Sequence, residues 1–164
     1  MRVGVSRLRP EAPLRGRLRL SSLRRERYRH PQWGGRAVCR VLVVDDDLDN
    51  VESLALFVRL LGHEVETARD GQQAIEAAKQ FCPDLVLLDI GLPQLDGYEV
   101  AERLRAGEHG TSMFLVAITG WDRDEETERS REAGFDHYLT KPVDPALLER
   151  LIGSLCARGG PPPA

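Results

Sequence analysis

The sequence predicts an α/β fold, a (βα)5 doubly wound sheet of five parallel strands, and three observations carry that reading. Short apolar runs bounded by turn residues, as at 85–88 (LVLL), have the unbroken hydrophobicity of strands buried on both faces. Segments with apolar residues at helical spacing alternate with these runs along the chain. Most of the runs end on a polar residue, and right-handed crossovers bring every strand's carboxyl end to one edge, where open α/β sheets hold ligands.

Residues 40–44 (RVLVV) make the first strand, which breaks into Asp45, Asp46 and Asp47. Asp49 and Glu52 have the spacing of a helix start; Leu54, Phe57 or Val58, and Leu61 continue it until Gly62 stops it. Residues 64–68 (EVETA) alternate as a shorter strand, and Gly71 opens a helix through Ala74, Ala77, Ala78 and Phe81 that Pro83 ends. The third strand delivers Asp89 to a loop marked by Gly91, Pro93 and Gly97, with a helix over 98–106 behind it. A strand at 113–118 ends in Thr119 and Gly120, and a highly charged helix at 123–133 with a solvated face closes at Gly134. Residues 137–141 (HYLTK) form the fifth strand, running into Pro142. Asp144 and Pro145 then start a last helix on Leu148, Leu151 or Ile152, and Leu155.

At 164 residues, 41% hydrophobic and 30% charged, the chain suits one soluble globular domain. No apolar run approaches the roughly 20 residues of a membrane span. Cys39, Cys82 and Cys156 are odd in number and widely spaced with no CxxC, which predicts reduced thiols in a cytosol rather than a disulfide framework or a zinc site.

Charge divides the chain. The first 40 residues hold twelve arginines against Glu11 and Glu26, although the whole carries a net −3, so the remainder is strongly acidic. Residues 1–38, with Pro10, Pro13, Pro31, Gly34 and Gly35 and no lysine, read as a disordered Arg-rich arm. Its open roles are contact with nucleic acid or an anionic membrane, docking to a partner, or an Arg-rich transit peptide, the last weakened by Glu11 and Glu26. Arginine without lysine favours instead an extended reading of an upstream start with no role of its own, so nucleic-acid contact by 1–38 is disfavoured. A secretory signal is excluded by the lack of an apolar core region. Residues 39–156 are the expected folded domain and 157–164 a disordered tail.

Along the carboxyl edge the strand ends offer Asp45 and Asp46, then Asp89, then Thr119, then Lys141. Taken alone, Asp89 could be a strand-end acid capping the next helix. Three converging carboxylates repel one another, however, and Mg²⁺ is a hard cation that binds through one or two of them and leaves room for phosphate oxygens. A carboxylate beside such an ion can attack phosphorus to give an aspartyl phosphate. The hydroxyl of Thr119 and the ammonium of Lys141 supply the donors that the new phosphoryl group needs.

Residues 40–156 resemble the receiver domain of two-component response regulators, with VLVVDD, LLDIGLPQLDG, AIT and YLTKP in order and spacing. The resemblance implies a flavodoxin-like sheet of order 2-1-3-4-5 and makes Asp89 the phosphoacceptor. It implies that Asp45 and Asp46 organise Mg²⁺ beside Asp89, with Asp46 the direct ligand and the Gly91 backbone carbonyl completing the set. Thr119 and Lys141 would bind the phosphoryl group, and Lys141–Pro142 would be cis. Asp47 reads as helix-start polarity rather than a further ligand. Tyr138 is either core packing or the aromatic that swings inward when the Thr119 hydroxyl is drawn to the phosphoryl group. Gly91 and Trp121 stand at the two positions that tune phosphoryl lifetime; a missing side chain at one and cover from the other imply slow self-dephosphorylation.

In function, the resemblance implies a cytoplasmic phosphoacceptor switch rather than a turnover enzyme. It would take its phosphoryl group from a sensor histidine kinase and pass it to a histidine phosphotransfer protein or signal to a target. GYEVAERLR and AGFDHYLTKPVD look most like receivers of hybrid sensor kinases. With only a tail after Cys156, the expectation is a single-domain response regulator. Two alternatives stand beside it: a non-phosphorylated receiver-like adaptor, and a haloacid-dehalogenase-type phosphohydrolase, for which DDDLD lacks the required Thr or Val.

Overall fold

The centre of the sheet is three strands whose apolar residues are buried on both sides, flanked by two partly exposed outer strands. In this computed structural model, which describes residues 38–120, 129 and 131–156, β1 (Arg40–Val44), β2 (Glu64–Ala68), β3 (Leu85–Asp89), β4 (Phe114–Thr119) and β5 (His137–Thr140) form one parallel sheet of order β2-β1-β3-β4-β5. Alternate side chains feed two separate cores. Leu42, Val44, Val86, Leu88, Leu115 and Ala117 pack with Ala74 and Ala78 of α2 (Gly71–Phe81) and Val100 and Leu104 of α3 (Gly97–Ala106). Val41, Val43, Leu87, Val116 and Ile118 pack with Val51 and Val58 of α1 (Leu48–Leu60) and Leu148 and Leu151 of the C-terminal helix α4 (Pro145–Cys156). Burying each such aliphatic side chain contributes about 1.5–3 kcal/mol, which is why a continuous apolar run specifies a central strand.

Local signals set the helix ends. Asp47, not Asp49, caps α1, its carboxylate accepting the Asn50 N–H at 3.1 Å. Asp70 caps α2 through the Gln73 N–H at 2.7 Å. Asp96 and Glu99 form a reciprocal capping box on α3. Two strands lie one residue from their expected positions. β4 covers 114–119 rather than 113–118, because Phe114 N–H starts the ladder on the Asp84 carbonyl (2.8 Å) and Asp89 is still paired with Ile118. β5 stops at Thr140, short of Pro142, which has no N–H to pair; the Lys141–Pro142 bond is cis, as expected.

The thiol expectation is overturned. Cys39 and Cys156 are joined by a disulfide, their Cα atoms 5.9 Å apart and 117 residues apart in sequence. The start of β1 and the end of α4 meet at the amino edge of the sheet, a proximity that sequence spacing does not reveal. Cys82 lies outside the disulfide, in the left-handed conformation that ends α2.

The expected arm at 1–38 lies, except for Val38, outside the described residues, as do Trp121 and the tail 157–164. Of the charged helix expected at 123–133, Arg129, Arg131 and Glu132 are described and helical. No helix among the described residues is long and apolar enough to cross a membrane.

One polar network crosses the α3 side of the sheet. Arg105 donates to the carbonyls of Gly134 (2.8 Å), Met113 (2.7 Å) and Gly110 and pairs with Asp136. The Asp136 carboxylate also accepts the Leu115 N–H at 2.8 Å. Replacing Arg105 would leave a largely buried carboxylate without its counter-charge and three carbonyls without the guanidinium donor. Arg105→Ala should therefore cost about 3 kcal/mol in urea unfolding, and a loss below about 1 kcal/mol would mean that water replaces the guanidinium.

Candidate functional site

The carboxyl edge brings the expected residues together because the strands run in register. Val44 pairs with Leu88, Leu88 with Ala117, Asp89 with Ile118, and Thr119 with Thr140. Asp45 therefore stands one rung beyond β1, next to Asp89, and Lys141 one rung beyond β5. The Lys141 N–H donates to the Thr119 carbonyl at 2.8 Å, fixing the last two strand ends against each other.

Asp45 is 1% exposed, Asp89 6% and Thr119 7%, whereas Asp46 is open to solvent. Two buried carboxylates side by side need a counter-charge. Lys141 provides it, its Nζ lying 3.0 Å from Asp45 and 3.2 Å from Asp89. Asp45 also accepts the Asp47 N–H at 2.9 Å, and Asp89 the Gly91 N–H at 3.1 Å.

Burial is the main force raising the Asp89 pKa above the usual carboxylate range; the Gly91 N–H and the Lys141 charge oppose it, and the Asp45 charge adds to it. Burial also works to lower Lys141, but hydrogen bonding to Asp45 and the charges of Asp89 and Asp45 outweigh it and hold the ammonium above its ordinary value.

Two glycines shape the space around Asp89. A Cβ at Gly97 would lie 2.6 Å from the Asp89 carbonyl oxygen and 2.7 Å from the Ile90 Cα, so only glycine lets α3 start so close behind the strand. A Cβ at Gly91 would meet the Asp89 carboxylate oxygens at 3.7 and 3.9 Å, so a longer side chain there would stand beside the carboxylate.

One ligand oxygen from each of Asp45, Asp46 and Asp89 lies within 4.8 Å of the others. This donor set, all hard oxygen with one solvent-facing member, fits a magnesium ion that retains water. Asp47 is spent on capping α1. Tyr138 is half-buried between buried His137 and Leu139, packs against the α2/α3 core and stacks on His137 with ring centroids 5.8 Å apart.

Comparison with known proteins decides what kind of edge this is. The pattern of the response regulator receiver domain matches residues 41–153. The chain belongs to that family. It is a receiver domain of two-component systems, and its sheet order is that of its structural neighbours. Among relatives, the transcriptional regulatory protein PrrA of Mycobacterium tuberculosis is 40% identical over 121 residues, covering 74% of this chain and 51% of that protein. The chain thus spans about half the length of most of the curated regulators it matches. Among solved structures, Vibrio cholerae chemotaxis protein CheY4 has a TM-score of 0.69 and 25% identity, covering 73% of this chain and 99% of that one. The receiver domain of the Pseudomonas aeruginosa sensor histidine kinase PA1611, with magnesium coordinated in its active-site cleft, has a TM-score of 0.67 and 32% identity over 73% of this chain and 98% of that one.

Sequence reasoning missed Asp84. It sits just before β3, accepts the Arg40 N–H at 2.8 Å, and is pushed by burial to a pKa of about 6. A carboxylate directly ahead of a buried strand was the available signal.

The electrostatics of this receiver yield a stability test. Because the folded-state pKa of Asp89 is raised, its ionised form costs stability at neutral pH, and the cost fades as pH falls and the proton is taken up. Asp89→Asn should therefore be more stable than the unsubstituted chain in chelator at neutral pH, with the advantage shrinking toward acid. A destabilised variant at neutral pH would mean that the attraction of Lys141 outweighs burial.

Proposed function

We propose that this receiver takes a phosphoryl group on Asp89 from a histidine kinase or a histidine phosphotransfer protein. The observation that carries the reading is the buried Asp89 carboxylate beside Asp45, with one ammonium, Lys141, bridging both. In the transfer, an Asp89 oxygen forms a bond to phosphorus as the donor's phosphorus–nitrogen bond breaks and the imidazole leaves. Asp45, Asp46, Asp89 and the Gly91 carbonyl would hold Mg²⁺, which when bound neutralises charge on the phosphoryl oxygens.

The remaining steps belong to side chains of the chain itself. Lys141 already lies 3.2 Å from Asp89 and follows the acquired charge onto the phosphoryl oxygens. Thr119, held on the adjacent strand end, donates its hydroxyl to the same group. Drawing Thr119 inward opens space for Tyr138, which links the site to the outer strand β5. The output is thus a change of surface read by a target or a phosphotransfer partner. The protein works as a switch in the cytoplasm, where its phosphoryl donor is made, and aids its own phosphorylation and slow dephosphorylation without turning over a separate substrate.

Intact mass after incubation with acetyl phosphate and Mg²⁺ tests the reading. One phosphoryl group should be added, none to Asp89→Asn or in EDTA, and Lys141→Ala should slow the addition about 100-fold. No adduct from acetyl phosphate and none from a histidine kinase donor would instead identify a non-phosphorylated adaptor.

The lifetime of the adduct tests Gly91. With no side chain there to orient an attacking water, decay should be slow, and Gly91→Asn should speed it about tenfold or more. An unchanged decay rate would remove Gly91 from the control of lifetime.

A further inference from the structure

The amino edge of the sheet, opposite Asp89, holds a second group of reactive side chains. Cys39 immediately precedes β1, His63 lies in the turn between α1 and β2, and Cys156 is the last residue of α4. One ligand atom from each lies within 4.8 Å of the others, the two sulfurs being joined in the disulfide. Once the disulfide is reduced and its sulfurs separate, the two thiolates and the imidazole are near enough to converge on one ion.

The three are also held in place. Both cysteines are buried. His63 Nδ1 accepts the Cys39 N–H at 3.3 Å, and the neighbouring Glu64 N–H donates to the Cys39 carbonyl at 3.0 Å. His63 is half-buried, so the group has one side facing water. Two sulfurs and an imidazole form a soft donor set, suited to Zn²⁺ and poorly suited to the Mg²⁺ that the oxygen-lined opposite edge fits.

We propose that in the reduced chain Cys39, His63 and Cys156 bind one Zn²⁺, with water at a fourth position, and that disulfide and metal are alternative closures of the same clasp. Binding releases the two thiol protons. Oxidation by a low-molecular-weight disulfide forms the Cys39–Cys156 bond, yields two molecules of the corresponding thiol, with two protons taken up, and frees the ion. In a reducing compartment the disulfide is disfavoured, and the metal closes the clasp there. The proposal is independent of the role of Asp89.

The full chain, reduced with a phosphine, would be loaded with Zn²⁺ in excess Mg²⁺, desalted and analysed for metal. One Zn²⁺ per chain is expected. Cys39→Ser and His63→Ala should each weaken retention more than about tenfold. Chain oxidised beforehand with glutathione disulfide should retain none until it is reduced again. Co²⁺ should give the charge-transfer absorption of thiolate ligands, an observation that needs no substitution. Far-ultraviolet circular dichroism and urea unfolding of the variants report that they are folded. Less than stoichiometric zinc on the reduced chain, or zinc that survives both substitutions, would overturn the proposal.

Discussion

Two buried carboxylates stand next to each other at the end of this sheet, and one ammonium holds them there. Without Lys141, Asp45 and Asp89 would face each other across a few ångströms with little water to screen them, and the adjoining ends of β1 and β3 would separate or take up protons. Much of the fold serves that contact. Parallel pairing brings four strand ends to one edge, the two cores fix the strands from either face, and Gly97 allows α3 to start against the Asp89 backbone. The charge pattern also fits the proposed chemistry, because a cation and a phosphoryl group together would relieve the repulsion that the folded chain carries.

The two edges of the sheet contrast in donor chemistry. Oxygen ligands and an amine gather at the carboxyl edge, and sulfur with imidazole gathers at the amino edge. β1 connects them directly, with Cys39 before its first residue and Asp45 after its last. The two donor sets therefore suit different metals, since softness and not affinity alone sorts them.

How much of this could be read from the sequence depends on the range of the interaction. Strands that bury both faces leave a continuous apolar run, so β1 was legible to the residue and β3 nearly so, while the outer strand β2 was legible from its alternation. The convergence at the carboxyl edge was legible because Asp45, Asp89 and Thr119 end or directly follow such runs and Lys141 follows the last strand. Boundaries shifted where a neighbour decided them: Phe114 joins β4 through the Asp84 carbonyl, and Asp47 takes the cap that Asp49 was expected to provide. The disulfide was illegible because its partners are 117 residues apart with no spacing rule between them. Arg105 was illegible for a related reason: an arginine in a charged helix reads as solvated, and its partner Asp136 lies beyond an intervening strand.

β5 is a short outer strand fastened at both ends. Asp136 ties its start to the Leu115 N–H and to Arg105, and Lys141 ties its finish to Thr119 and to the buried carboxylates. A beam clamped in this way resists sliding and tilting. The middle of β5 is left with one half-buried ring, Tyr138, between two buried neighbours. If the proposed switch operates through this strand, its freedom is confined to the turning of that ring, because the backbone on either side is held.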